Sequence, residues 1–360
     1  MWRKILRLLG FLVGWGVVFA YIWYASTLTH EHREKLRVSD VVITMSDSDE
    51  TRQFSTSERI GAQLKRGGLD MSGRLVDSVD AMKLSEYIAR NSYVKGVNVY
   101  TTYSGVLHID VKQHEPAMRF MCSGYNAYVT AEGELFRSPR GAACYLPVVT
   151  GGYKPLFASN YEGTLQENLA SLMEVEDEKL VKFAGEFSAL RKERRGCLER
   201  KKELKKELKR KIFESKDAWS HRKVGVSRDM AKCDDELKRL AQSRAKLEKR
   251  KSVVENRNKK LQKSYDDFAN LINFVTSIRE DSFWGAEVVQ FVADTTSLGA
   301  ISLRLVPRSG DFVIEFGTLE NSAEKLEKLE HFYDAGLSHI GWDKYRVVDV
   351  RYKKQVICTE

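Results

Sequence analysis

Leu240, Leu247, Val254, Leu261, Phe268 and Val275 recur at strict intervals of seven residues. On an α-helix such a series forms one continuous apolar stripe, and only a second helical surface can cover a stripe of that length. Phe183, Leu190, Cys197 and Leu204 repeat the spacing upstream, and no proline falls within residues 176–267. A break at Ser220–Ser227, containing Gly225, suits a hairpin tip. The segment 176–267 therefore reads as a long antiparallel helical (coiled-coil) hairpin, with arms of ~40–50 residues reaching roughly 60–75 Å. A tip near residue 224 sets Cys197 against position 251 and away from Cys233. The second stripe carries Arg244, Lys251 and Asn258, so packing along it is poor.

The net charge of +9 belongs to the same segment. Residues 191–250 hold 23 Lys+Arg and 11 Asp+Glu, a net of +12, so the remaining 300 residues hold 36 basic and 39 acidic residues, a net of −3. A basic excess confined to one arm is either a solvated helical surface or a docking face for an acidic partner or membrane headgroups.

The N-terminus places the chain. Met1–Arg7 carries Arg3, Lys4 and Arg7, and Leu8–Ala25 follows with 18 residues and no charge. As a helix this run spans about 27 Å, close to the ~30 Å hydrocarbon core of a bilayer. Tyr21, Trp23 and Tyr24 cluster where an interfacial belt would lie. Val18-Phe19-Ala20 resembles a signal-peptide cleavage site, but the apolar run continues past it. We expect an uncleaved transmembrane helix over 8–27, a cytoplasmic tail over 1–7 and the bulk of the chain in the periplasm. That location disfavours nucleic acid as a partner.

A first soluble domain is expected over 36–114. The β-branched Leu36–Met45 reads as a strand, Ser55 or Thr56 caps a helix that stops at Gly67-Gly68, and Asp80 caps a second helix. Val94–Tyr100 and Val106–Val111 then alternate at period two around Gly105. A β domain over 115–175 and 268–360 is expected around the hairpin. Its strands include Tyr125–Phe136, Leu146–Gly151, Phe283–Val292, Ala300–Pro307, Phe312–Gly317 and a last strand Arg346–Ile357, with a short helix over Lys325–Gly336.

These motifs carry a resemblance. The Phe-Ser-led helix, the Gly-Gly, the second helix ending at Asn91-Ser92-Tyr93-Val94 and the closing Gln113-His114-Glu115-Pro116 are similar to the POTRA domain of the FtsQ/DivIB family. The hairpin around Glu132-Gly133, then Leu146-Pro147-Val148-Val149-Thr150-Gly151, the Leu305–Gly317 run, Glu324–Tyr333 and Asp349–Val356 continue that order. His114 stands where the family commonly has a basic residue, and Thr130 where it usually has Asp. The resemblance implies an α+β protein, with a transmembrane helix, a POTRA-like two-layer domain and an antiparallel β domain interrupted by an atypical helical hairpin. It also implies a divisome scaffold of the cell inner membrane that binds FtsB-like and FtsL-like division proteins. A membrane-fusion adaptor of a transport system is the alternative, although neither half of a lipoyl-like domain can be found.

No active site is legible. The seven histidines form no HExxH, Asp47-Ser48-Asp49-Glu50 lacks the glycine and distal glutamate of a calcium loop, and His30-x-His32 sits in a juxtamembrane stretch. No GxSxG or P-loop occurs. Neither a cofactor, a metal nor a small-molecule substrate is expected. Of the five cysteines, only Cys122 and Cys144 invite pairing, by proximity and compartment. Function should therefore be binding. A C-terminal strand often lies at a sheet edge, where a partner strand can complete the ladder. Val348, Val350, Arg351, Tyr352 and Gln355 are the expected partner-binding residues, with Tyr352 as anchor and Arg351 as carboxylate clamp. The resemblance matches Arg351 and Tyr352 to an Arg-Tyr pair in the region where FtsB adds a strand. The competing reading makes Tyr352 a core residue.

Overall fold

The computed structural model describes residues 13–26, 36–46, 54–137, 144–209, 211–337, 341 and 344–360. Residues 13–26 form helix α1, and among the described residues no helix is long and apolar enough to cross a membrane. The tail 1–7, residues 8–12 and 27 of the expected span, His30, His32 and Asp47–Glu50 lie outside the described residues. The chain divides into two compact units. One contains the residues up to Tyr153, Ser159–Glu162 and Ile272 onward, and the other contains Lys154–Ala158 and Gly163–Leu271.

The first unit begins with the expected order: β1 (Asp40–Ser46), α2 (Ser57–Arg66), α3 (Ala81–Ala89), β2 (Val94–Thr101) and β3 (Val106–Gln113). Thr56 accepts a hydrogen bond from the Arg59 N–H and Asp80 accepts one from the Lys83 N–H at 3.0 Å, so both helices start where short polar side chains satisfy their first orphan donors. Strand β3 lies between β1 and β2, antiparallel to β2 and parallel to β1. The parallel pairing follows from the two helices, which carry the chain back across the sheet. Ile60, Leu64, Leu84 and Ile88 are buried in the same cluster as Leu107, Ile109 and Val111.

Two of the motifs meet in one latch. The Phe54 N–H donates to the Gln113 side chain at 2.9 Å, and that side chain donates to the Ser55 carbonyl at 3.0 Å. Phe54 then packs edge-on against Tyr128 and Phe136, at 4.8 and 5.3 Å between ring centroids. His114 stacks on Phe136. Burial pushes the His114 imidazole below its ordinary pKa, opposed by Glu134 at 3.1 Å.

The β domain follows with β4 (Pro116–Cys122), β5 (Ala127–Thr130), β6 (Glu134–Phe136) and β7 (Val148–Gly151). After the second unit, which includes the two-residue β8 (Gly163–Thr164), come β9 (Val288–Thr295), β10 (Ile301–Pro307), β11 (Val313–Gly317), helix α7 (Ser322–Phe332), β12 (Val347–Asp349) and β13 (Ile357–Thr359). Within the first unit the sheet order is β13-β12-β11-β10-β9-β7-β4-β5-β6. The sheet is mixed rather than antiparallel: β4 with β7, β7 with β9, and β11 with β12 run parallel. Each parallel pair is separated in sequence by a long connection, the hairpin for β7–β9 and α7 for β11–β12, which is what parallel pairing requires. Thr130 closes the β5–β6 turn, since its hydroxyl accepts from the Glu134 N–H at 3.1 Å. Gly151 is obligatory: its φ is +115°, and a Cβ there would collide with the Ala293 carbonyl of β9.

The strand expected from Phe283 is instead a short helix, α6 (Trp284–Glu287), before β9. Asp281 accepts from the Phe283 and Trp284 N–H groups, both at 2.8 Å, and Trp284 is buried against Tyr333. None of the five cysteines is in a disulfide, so Cys122 and Cys144 do not pair. Cys122 is buried, which pushes its thiol up to about 12.

The second unit is the hairpin, α4 (Leu165–Glu207) with most of α5 (Lys216–Glu280). Thr164 and Glu167 form a reciprocal capping box at its start. Phe183, Leu247 and Val254 form its buried core, and the seven-residue stripe extends back to the buried Cys233 and Val226. The tip is not at Ser220–Ser227. Helix α4 ends at Glu207 and α5 starts at Lys216, so Gly225 lies inside α5. A helix-interior glycine costs only about 1 kcal/mol, too little to stop a helix of good formers. Ser215 instead starts α5, accepting from the Ala218 N–H at 3.2 Å. The register shifts accordingly. Cys197 Sγ lies 3.1 Å from Glu236, Lys201 pairs with Asp234, and Arg257 lies 3.3 Å from Glu176, so Cys197 does not face position 251.

Candidate functional site: the C-terminal edge

The last strand is not one continuous edge. Strand β12 is paired on both sides, parallel to β11 and antiparallel to β13, and the outermost strand is β13. Val348 and Val350 are fully buried, and the Val350 N–H donates to the Glu315 carbonyl at 3.1 Å. These two residues belong to the core and offer no side chain to a partner.

The chain leaves the strand after Val350. Lys328 of α7 donates to the carbonyls of Val350 and Tyr352, and Lys354 takes a φ of +61° as the chain reverses into β13. Arg351 closes back on Asp349: its Nε lies 2.9 Å from Oδ1 and its Nη2 2.6 Å from Oδ2, while its backbone N–H also donates to Oδ1 at 3.0 Å. Burial disfavours the Asp349 charge, but the hydrogen bonds from Arg351 outweigh it and hold the carboxyl below its ordinary range. The expected carboxylate clamp is therefore already occupied from within the chain. The Arg351 stem lies over Gly317, whose φ is +73° and where a Cβ would press on the Arg351 side chain.

Tyr352 is 48% exposed and is not a core residue. Gln355 lines a groove of about 400 Å³ with Val356 and Lys354 on one side and Lys328, His331 and Phe332 of α7 on the other. Of the five expected residues, the structure presents Tyr352 and Gln355, engages Arg351 internally and buries Val348 and Val350. Sequence reasoning missed the groove and β13. The signal for β13 is faint, since Ile357-Cys358-Thr359 is too short to show a period.

Among the described residues no group of His, Cys, Asp and Glu converges in a way that could hold a metal. A family model described as FtsQ/DivIB, C-terminal related, matches residues 229–359, and a POTRA-like domain model matches residues 37–112. The first match begins inside α5, so it takes in residues 229–267 of the hairpin as well as the sheet from β9 to β13. No curated protein matches the chain. The POTRA-like match comes first and the FtsQ/DivIB-related C-terminal match last, the order that the resemblance implies, and together the two matches support a protein of the FtsQ/DivIB family.

Proposed function

We propose that this chain is a non-enzymatic scaffold of bacterial cell division, anchored in the inner membrane with its bulk in the periplasm, and that it binds FtsB-like and FtsL-like partners through its C-terminal sheet edge. The observation that carries this reading is the position of β13, which ends the sheet order. A strand at the end of a sheet presents a row of backbone donors and acceptors that a second chain can complete. Beside it stand a half-exposed tyrosine, the kind of side chain that anchors interfaces, and an open groove lined by Phe332, Lys328, Lys354 and Gln355 among others. Main-chain pairing and the Tyr352 anchor supply affinity, and Tyr352 with the groove supplies specificity.

Two measurements test the reading. Depletion of the protein should give filamentous cells; drug or toxin sensitivity without filaments would point to a transport adaptor instead. A pull-down from membranes should recover FtsB-like protein with the wild-type chain and lose it with Tyr352→Ala. Equal recovery by both would remove this edge as the site.

A further inference from the structure

The two most exposed large apolar side chains among the described residues are adjacent, and they sit at the hairpin tip. Ile212 is 93% exposed and Phe213 is 100% exposed. The tip around them is a built turn. Arg222 reaches back from α5 to the Glu207 and Lys209 carbonyls and holds Glu214, with its Nε 2.8 Å from Oε1. Trp219 Nε1 donates to the Leu208 carbonyl at 3.2 Å, and the Lys211 N–H donates to Glu214 at 3.1 Å. These hydrogen bonds tie the turn together, while the apolar pair faces solvent.

The charge around the pair is one-sided. Residues 205–216 hold six basic residues against Glu207 and Glu214, and the Arg222 hydrogen bonds tie up Glu214. Lys205, Lys206, Lys209, Lys211 and Lys216 are all exposed. Five of the six cations are lysines, whose flexible point charges suit a diffuse anionic surface, whereas a fixed carboxylate is better met by the planar fork of arginine. An exposed aromatic and a branched aliphatic side chain flanked in sequence by exposed lysines suit the interfacial layer of an anionic bilayer. A helix of 43 residues carries this tip about 65 Å along its axis.

We propose that the hairpin tip is a lipid-contacting element: Ile212 and Phe213 enter the interfacial layer of a bilayer bearing anionic headgroups, and the surrounding lysines pair with the headgroup phosphates. The proposal is independent of the C-terminal edge.

The test uses the full chain held in phosphatidylcholine nanodiscs, immobilised and exposed to vesicles. Vesicles rich in phosphatidylglycerol should be captured, and pure phosphatidylcholine vesicles should not. The double variant Ile212→Ser, Phe213→Ser should lower capture roughly tenfold to several-hundredfold, the loss expected for withholding two partly buried apolar side chains. Phe213→Trp should retain it, and helicity should be unchanged in both. Failure of the wild-type chain to capture anionic vesicles would overturn the proposal and leave a protein pocket as the occupant of the tip. Undiminished capture by the double variant would overturn it too, by assigning the attraction to the basic arm as a whole.

Discussion

Arg351 already has a carboxylate within its own chain, and this changes what the residues around it can do. The Asp349–Arg351 pair fixes the turn that carries Tyr352 outward. Because Arg351 depresses the folded-state pKa of Asp349, the pair contributes stability above the ordinary carboxylate pKa and loses it as pH falls through the lower folded value. The Arg351 Nε–H should therefore give a persistent, slowly exchanging NMR signal at neutral pH that fades well below pH ~4; a signal indifferent to that titration would mean the pair does not hold the turn. Val348→Ala should destabilise the first unit by about 1–3 kcal/mol, whereas Tyr352→Ala should stay within ~0.5 kcal/mol, both read from thermal melts. Val350→Pro should unfold this edge, since it removes the donor to Glu315 and disturbs a buried side chain. Period-two alternation shows that Val348, Val350 and Tyr352 share parity. It does not show which face is inward, nor that the chain leaves the strand between Val350 and Tyr352. That departure is held by Lys328, 22 residues before Val350 in sequence, so local pattern does not reveal the exposure of Tyr352.

At the scale of elements, the helical hairpin was legible and its register was not. Seven-residue spacing reports which residues share a stripe, and that stripe is buried at Val226, Cys233, Leu247 and Val254. Register depends on where the turn falls, and the turn is set by the serine cap at Ser215 after the exposed Ile212-Phe213 rather than by Gly225. A zero-length carbodiimide cross-link should join Lys201 to Asp234, detectable by mass spectrometry. Cross-links from Lys201 to residues near position 248 would restore a tip at 224. Glu176 helps to set this register: hydrogen bonding from Lys179, reinforced by Arg257, holds its carboxyl below the ordinary range. Replacing 176–265 with a short Gly-Ser linker should leave the first unit unfolding cooperatively, because its core forms from residues up to Tyr153 and from Ile272 onward. Loss of cooperativity would make the hairpin part of that core.

For the whole molecule, the order of elements carried most of the legible information. The POTRA-like domain was readable because its caps, glycines and alternating strands lie close together in sequence. The parallel pairings of the sheet were not, since β7 meets β9 only across the entire hairpin and β11 meets β12 only across α7. The inner-membrane reading rests on the uncharged run Leu8–Ala25. A reporter that is active only in the periplasm, fused after Glu360, should be active, and activity of a cytoplasm-only reporter there would reverse the orientation and remove the division reading. The most direct test of the account is the affinity of the purified chain for a peptide from the periplasmic part of an FtsB-like partner, measured for wild type and Tyr352→Ala with thermal melts alongside. A loss of roughly 30- to 1000-fold with an unchanged melt is the expected result; unchanged affinity would contradict the assignment of the C-terminal edge as the partner site.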